Sequence, residues 1–301
     1  MAASLKGIRV LVLGASSQVG YFLLPRLLAC GAHVQAVSRS GTPEFLQSLT
    51  AVNWLHPEAL PEVLPGTTHL VSAGPLELVP DWVASMCEPE LVAAVSSSSV
   101  LSKRDSSVPQ ERALMRAMAA AEQRLLAQSQ SRAFSLCVLQ PTLIYGCGLD
   151  ANLSVLARFI QRFGFLPIAR KARGKRQPLH AEDLAQALLQ VLLRPPEEAL
   201  ISPLAGGEIL SYRTMAERLF LALKRRPRLM PLPASVLARA ADTAARFGRA
   251  PVGSGAMIYR QREDLIFDDL PARSFLQLQP RAFDPQAADF EPPKAVPSVS
   301  S

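Results

Sequence analysis

Several short stretches of this 301-residue chain carry groups that can grip ligands or move protons. The first is Gly14-Ala-Ser-Ser-Gln-Val-Gly20, small residues between an apolar run and a helical pattern. Such a turn suits phosphate: the main chain can approach a pyrophosphate, and the helix that follows offers unpaired N–H groups and a partial positive charge. Gly14 supplies the sharp turn and Gly20 lets helix and strand pack, while Ser17 stands where a middle glycine is usual. Ser16, Ser17, Gln18 and Val19 are the remaining candidate contacts. The second stretch is Ser38-Arg39-Ser40, at the end of the next apolar run. A carboxylate there would hold a ribose 2′-OH; a guanidinium accommodates a 2′-phosphate. With Arg39 and no acid, NADP is expected, with NAD as the alternative. The third is Arg170-Lys-Ala-Arg-Gly-Lys-Arg176, five cations in seven residues. It reads as a solvated loop, or as a patch for an anionic nucleotide, an acyl-CoA-like phosphate or an anionic membrane surface. Lys224-Arg-Arg-Pro-Arg228 reads as a helix end complementing its dipole. His180 and Asp183 are close enough in sequence to suggest a catalytic pair, but Asp183 opens an apolar helix and fits helix-end stabilisation better. His180 reads as a packed structural residue.

Composition bounds what these groups serve. The chain is 49% hydrophobic and 19% charged, enough for a full core. The formal charge is +7 and the pI near 9.6, so the partner expected is a small, anionic molecule. Only 6% of residues are aromatic, against a base-stacking surface, and no nucleic acid is expected. Cys30, Cys87, Cys137 and Cys147 are scattered, with no CxxC and no histidine cluster, so neither a disulfide framework nor a metal site is expected. A reducing, cytoplasmic location follows as an expectation. The first residues do not read as a secretory leader, and no apolar run reaches membrane-spanning length. Peripheral membrane contact stays compatible with the charge.

The elements that must hold these groups alternate. Strands are expected at 8–13, 33–38, 52–55, 69–72, 91–95 and 134–139, and helices at 21–30 and 111–128. Strand, glycine turn, helix, strand is one βαβ unit. Its repetition predicts an α/β, doubly wound Rossmann-type parallel sheet over residues 5–150. Longer helices at 152–163, 182–193, 212–224 and 234–247 predict a smaller helix-rich C-terminal lobe over 151–290, with some return to the core. A proline- and serine-rich tail, 291–301, is expected to be disordered.

These motifs, in this order, resemble those of the extended short-chain dehydrogenase/reductases, the NAD-dependent epimerase/dehydratase group. The glycine turn resembles that family's glycine motif, and Ser96-Ser-Ser-Ser-Val100 its strand-end serine motif. Gln140-Pro-Thr-Leu-Ile-Tyr-Gly146 resembles the segment beside the nicotinamide, and Arg176-Gln-Pro-Leu-His-Ala-Glu-Asp183 the later His and Asp motif. Arg262-Glu-Asp-Leu and Leu278-Gln-Pro-Arg281 resemble its C-terminal elements. The resemblance implies cofactor contacts from Ser72, Ala73 and Pro141 as well as from the glycine turn, Ser38 and Arg39. It implies Ser97 as the catalytic serine, and Arg176 and Arg262 as ligands of a substrate diphosphate. A homodimer through the long helix is implied by analogy.

The chain departs from the family at the proton relay. Family members use a Tyr and, one turn later, a Lys whose charge favours the phenolate. Aligned on Glu122, those positions hold Leu114 and Met118, which transfer no proton. Tyr145, off a strand end, is the substitute donor to consider; Lys103 reads as a solvated loop charge. Two functions follow: an epimerase- or dehydratase-like oxidoreductase with non-standard catalytic residues, or a non-catalytic NADP-binding scaffold, accessory subunit or redox sensor.

Overall fold

The structure, a computed structural model, describes residues 4–247 and 254–297. Strand β1 (Arg9–Leu13) shows how the sequence builds the sheet. Successive side chains of a strand point to opposite faces. Val10 and Val12 pack with Leu23 and Leu27 of helix α1 (Gln18–Ala29) and with Leu184 and Leu188. Leu11 and Leu13 pack on the other face with Val79, Val83 and Leu125. A strand buried on both sides belongs to a parallel sheet covered twice.

The sheet has seven strands, all parallel. Beside β1 lie β2 (His33–Val37) and β3 (Asn53–Leu55) on one side, and β4 (His69–Ser72), β5 (Leu91–Val95) and β6 (Ser135–Pro141) on the other. The seventh strand, Leu200–Leu204, pairs with β6 at the edge. Strand order reverses between β1 and β4, and in open α/β sheets ligands bind at the carboxyl ends beside such a reversal. Gly14 and Ala73 follow those two strands.

The expected elements are present with shifted ends. Helix α1 begins at Gln18, ahead of the expected 21, because the Ser17 side chain caps it. The long helix α2 (Pro109–Arg132) opens on proline, which suits a first helical position, and buries one stripe at Met115, Glu122, Leu125 and Ser129. Helix α3 (Ala181–Leu193) packs on α1. It and Leu200–Leu204 are the parts of the C-terminal sequence that return to the core.

The C-terminal lobe has its own core, where Leu153, Ala157 and Ile160 meet Leu219, Phe220 and Phe283. Helix α4 (Ser254–Arg260) lies near its end. The proline-rich segment 291–297 lies against the fold. Tyr21 Oη donates to the Ala295 carbonyl at 3.0 Å, and Val296 packs against the α1 side of the core. Gly148, at φ +66, has no room for a Cβ beside Glu291, whose carbonyl carbon would lie 2.5 Å away. Prolines here restrict an extended segment that already has a surface to lie on. Residues 298–301 lie outside the described residues.

Candidate cofactor and substrate site

The glycine turn has the local geometry that phosphate binding requires. Gly14 sits at φ +70, and a Cβ there would lie 2.5 Å from the Ala73 carbonyl carbon, so only glycine lets β1 and β4 end this close. Gly20 is equally confined, with the Ala15 oxygen 2.1 Å from a Cβ. Ser17 Oγ accepts from Gly20 N at 3.3 Å, which explains a serine in place of the middle glycine: it caps the helix. The first amides of α1, at Gln18 and Val19, have no partner within the helix. The Gln18 Oε1 atom is buried without a hydrogen-bond partner. Ser38 Oγ accepts from Ser40 N, and the turn so made presents exposed Arg39 at the end of β2. Ser72 Oγ accepts from Gly74 N at 3.4 Å beside Gly14. Ser16 is exposed, Ala73 N donates to the Leu13 carbonyl, and Pro141 closes β6. These residues fit a dinucleotide phosphate and an adenosine ribose. A cavity of about 690 Å³ opens elsewhere, at the opposite strand ends, where Arg9, His33, Asn53 and His69 begin β1 to β4.

Beyond β5 the serines divide their work. Ser96 Oγ donates to Glu122 Oε1 at 2.5 Å, and Gln140 Nε2 donates to the same oxygen at 2.8 Å. Glu122 thereby pins α2 to the ends of β5 and β6. Met118 and Leu114 stand one and two turns earlier on that side of the helix. Met118 packs against the core, while Leu114 is 46% exposed. Ser97 is half-buried, and its Oγ accepts from Ser99 N at 3.2 Å.

Tyr145 is closed off from solvent. It is fully buried in the C-terminal core, edge-on to His180 and Phe283 with centroids 5.0 Å away in each case. Burial pushes its phenol well above the ordinary value, and Asp289 adds to this. The sequence placed it at a strand end; the structure turns its ring away, because Ile144–Tyr145 pairs with Leu179–His180 inside the lobe. Of the other tyrosines, Tyr21 is bonded to Ala295, and Tyr212 lies under the Arg176 guanidinium at 5.6 Å. Tyr259 is exposed on α4.

The two arginines expected to hold a substrate diphosphate differ. Arg176 is buried, and its terminal nitrogens go to main-chain carbonyls: Lys175 at 2.8 Å, Glu263 at 2.7 Å and Arg260 at 2.5 Å. It fastens the turn after α4 and offers these nitrogens to no ligand, which corrects the expectation; the five-cation run is thus not uniformly a solvated loop. Arg262 is exposed on that same turn.

Sequence reasoning missed the neighbouring cluster. Glu111 accepts from Arg260 Nη1 at 3.0 Å and from Ser106 Oγ at 2.7 Å, with Lys103 Nζ at 3.6 Å. The Arg260 bond, with Ser106 and Lys103 adding and burial opposing, holds the Glu111 carboxyl down to about 2. Lys103, read as a solvated charge, is lowered by burial and ion-paired. No local signal joins residues 149 apart.

His180 and Asp183 do structural work. His180 Nδ1 accepts from Glu182 N and caps α3, while Nε2 lies 3.3 Å from Asp289 Oδ1. Asp183 accepts from Arg281 N and Nε, both at 2.9 Å. Burial alone would raise Glu182; hydrogen bonds from Arg281 and Arg26 outweigh it and hold the carboxyl below its ordinary value. Among the described residues no helix is long and apolar enough to cross a membrane, and no group of three His, Cys, Asp or Glu could hold a metal.

Solved structures share this architecture. UDP-glucuronic acid 4-epimerase from Bacillus cereus, bound to UDP-glucuronic acid and NAD, superposes with a TM-score of 0.70 at 14% identity over 94% of this chain and 98% of its own. MoeE5 with UDP-glucuronic acid and NAD gives 0.68 at 18% identity over 94% and 97%. The NADPH-dependent quinone oxidoreductase QOR2 from Escherichia coli, bound to NADPH, gives 0.68 at 16% over 91% and 97%. In sequence, UDP-glucose 4-epimerase from Vibrio cholerae is 24% identical over 113 residues, 38% of this chain. That match spans 34% of the relative's length. No profile of a known protein family matches the chain. These likenesses show that the chain has the Rossmann-type α/β fold shared by those nucleotide-sugar epimerases and the quinone oxidoreductase.

Proposed function

We propose that this protein binds a nicotinamide dinucleotide on the Gly14–Gly20 turn, NADP in preference to NAD, and works as a cofactor-loaded binding or sensing protein. The observation that carries the binding is Gly14 at φ +70, packed on Ala73 at the sheet's switch point, with the N-terminus of α1 behind it. Gln18 and Val19 would hold the pyrophosphate, and Arg39 the 2′-phosphate. When bound, the cofactor can supply or accept hydride. Among the described residues, the positions expected to relay a proton do not supply one: Leu114 and Met118 stand on the helix face that would carry it, and Tyr145 is sealed in the lobe core. That absence favours binding over turnover.

A second reading rests on Leu114, whose exposed apolar side chain suits a hydrophobic substrate. A reductase of quinones or small carbonyl compounds would then take its proton from water. A substrate with a diphosphate, as in the nucleotide-sugar neighbours, would rely on exposed Arg262.

Isothermal calorimetry with NADPH, NADP⁺, NADH and NAD⁺ tests the binding. Heat with the phosphorylated pair above the other is expected; no heat with any of the four overturns the proposal. NADPH oxidation across nucleotide sugars, quinones and carbonyl compounds then separates the readings, since sustained turnover replaces the sensor with the reductase.

A further inference from the structure

We propose that the C-terminal lobe carries a docking surface for an anionic lipid bilayer. The sequence contains no Asp or Glu from 151 to 181 or from 218 to 241, stretches that hold seven and six lysines and arginines. The fold brings the two stretches together. Strands Leu166–Ala169 and Leu229–Leu232 pair in parallel. Leu166 N donates to the Arg228 carbonyl at 3.0 Å, and Arg225 Nη2 donates to the Gln161 carbonyl at 2.9 Å. Helices Leu153–Phe163 and Tyr212–Ala222 therefore end side by side, and the chain reverses at Gly164 (φ +74) and Lys224 (φ +55).

Six exposed cations crown these two turns: Arg158, Arg162, Lys224, Arg225, Arg226 and Arg228. Complementing helix dipoles does not account for them. Two helix C-termini carry together about one negative charge, so most of the positive charge stays unmatched. Apolar side chains stand among the cations: Phe163 is 50% exposed, Leu221 62% and Met230 41%. The Arg162 guanidinium lies 5.3 Å from the Phe163 ring centroid, so charge and ring present together.

A nucleic-acid backbone would use the cations and gain little from Leu221 or Met230. A bilayer surface uses both, with cations on lipid phosphates and apolar groups in the headgroup–acyl boundary. The mixed character of the patch selects the bilayer.

Co-sedimentation of the full chain with vesicles tests this. Phosphatidylcholine vesicles with about 30 mol% phosphatidylglycerol should retain at least about ten-fold more protein than phosphatidylcholine alone, as six surface cations imply. Arg226→Glu with Arg228→Glu, both at exposed positions, should lower retention about ten-fold or more. Leu221→Ser should lower it about three-fold, by loss of buried apolar area. Melting temperatures near that of the parent certify both variants as folded. Equal retention on neutral and anionic vesicles overturns the proposal. So does a folded charge-reversed protein that sediments like the parent, or tight binding to a DNA duplex without binding to vesicles.

Discussion

Arg260 of α4 and Glu111 of α2 form a two-pronged ion pair between the lobe and the core: Nη1 donates to Oε1 at 3.0 Å, and Nη2 to Oε2. Leu114, 46% exposed, stands one turn further along α2. Glu111 has its carboxyl held at about 2 against an ordinary 4.5. A depressed carboxyl stabilises the folded state above its unfolded value, and that contribution is lost as pH falls through the folded one. The stability difference between the parent and Glu111→Gln, from urea unfolding, should therefore be full at pH 6 and shrink between about 4.5 and 2. A difference that stays constant across that window would refute the coupling.

Tyr145→Phe should leave dinucleotide affinity and any turnover unchanged, because the ring is core packing. Tyr145→Ala should cost about 3–5 kcal/mol in unfolding free energy, the usual loss for a large buried ring. Turnover lost on the Phe change alone would return the hydroxyl to the chemistry.

Glu122→Ala should destabilise by about 2–4 kcal/mol, since it leaves the Ser96 hydroxyl and the Gln140 amide without their acceptor. Glu122→Gln keeps an acceptor oxygen and should cost less. Equal losses in chemical denaturation would show that the bonds to Ser96 and Gln140 matter little.

Arg39→Asp should weaken NADPH binding about ten-fold or more, the worth of a charge-assisted contact, and NADH binding far less. Titration calorimetry reads both. Matching losses would remove the 2′-phosphate assignment.

The sheet and the glycine turn were legible because their signals are local. The unbroken apolar run of β1, the small residues between Gly14 and Gly20, and the helical patterns that follow each depend on a few adjacent residues. Tyr145 and Arg176 were misread because motif position tells where a residue sits along the chain and not where its side chain turns. Tyr145 faces inward because two short strands pair across the lobe, and Arg176 is drawn to carbonyls of a turn more than eighty positions away. The Glu111 cluster was invisible for the same reason. The contacts of 291–297 with α1 have no sequence signal, because composition does not report a surface waiting to receive them.

The edge strand Leu200–Leu204 and helix α3 come from sequence beyond residue 150, yet complete the sheet and cover α1. Gene fragments divided at that point would each lack a partner the other supplies. The amino-terminal piece would expose the open flank of β6, a template for aggregation. The C-terminal sequence of a relative could not be grafted on as a cassette without carrying that strand and helix along.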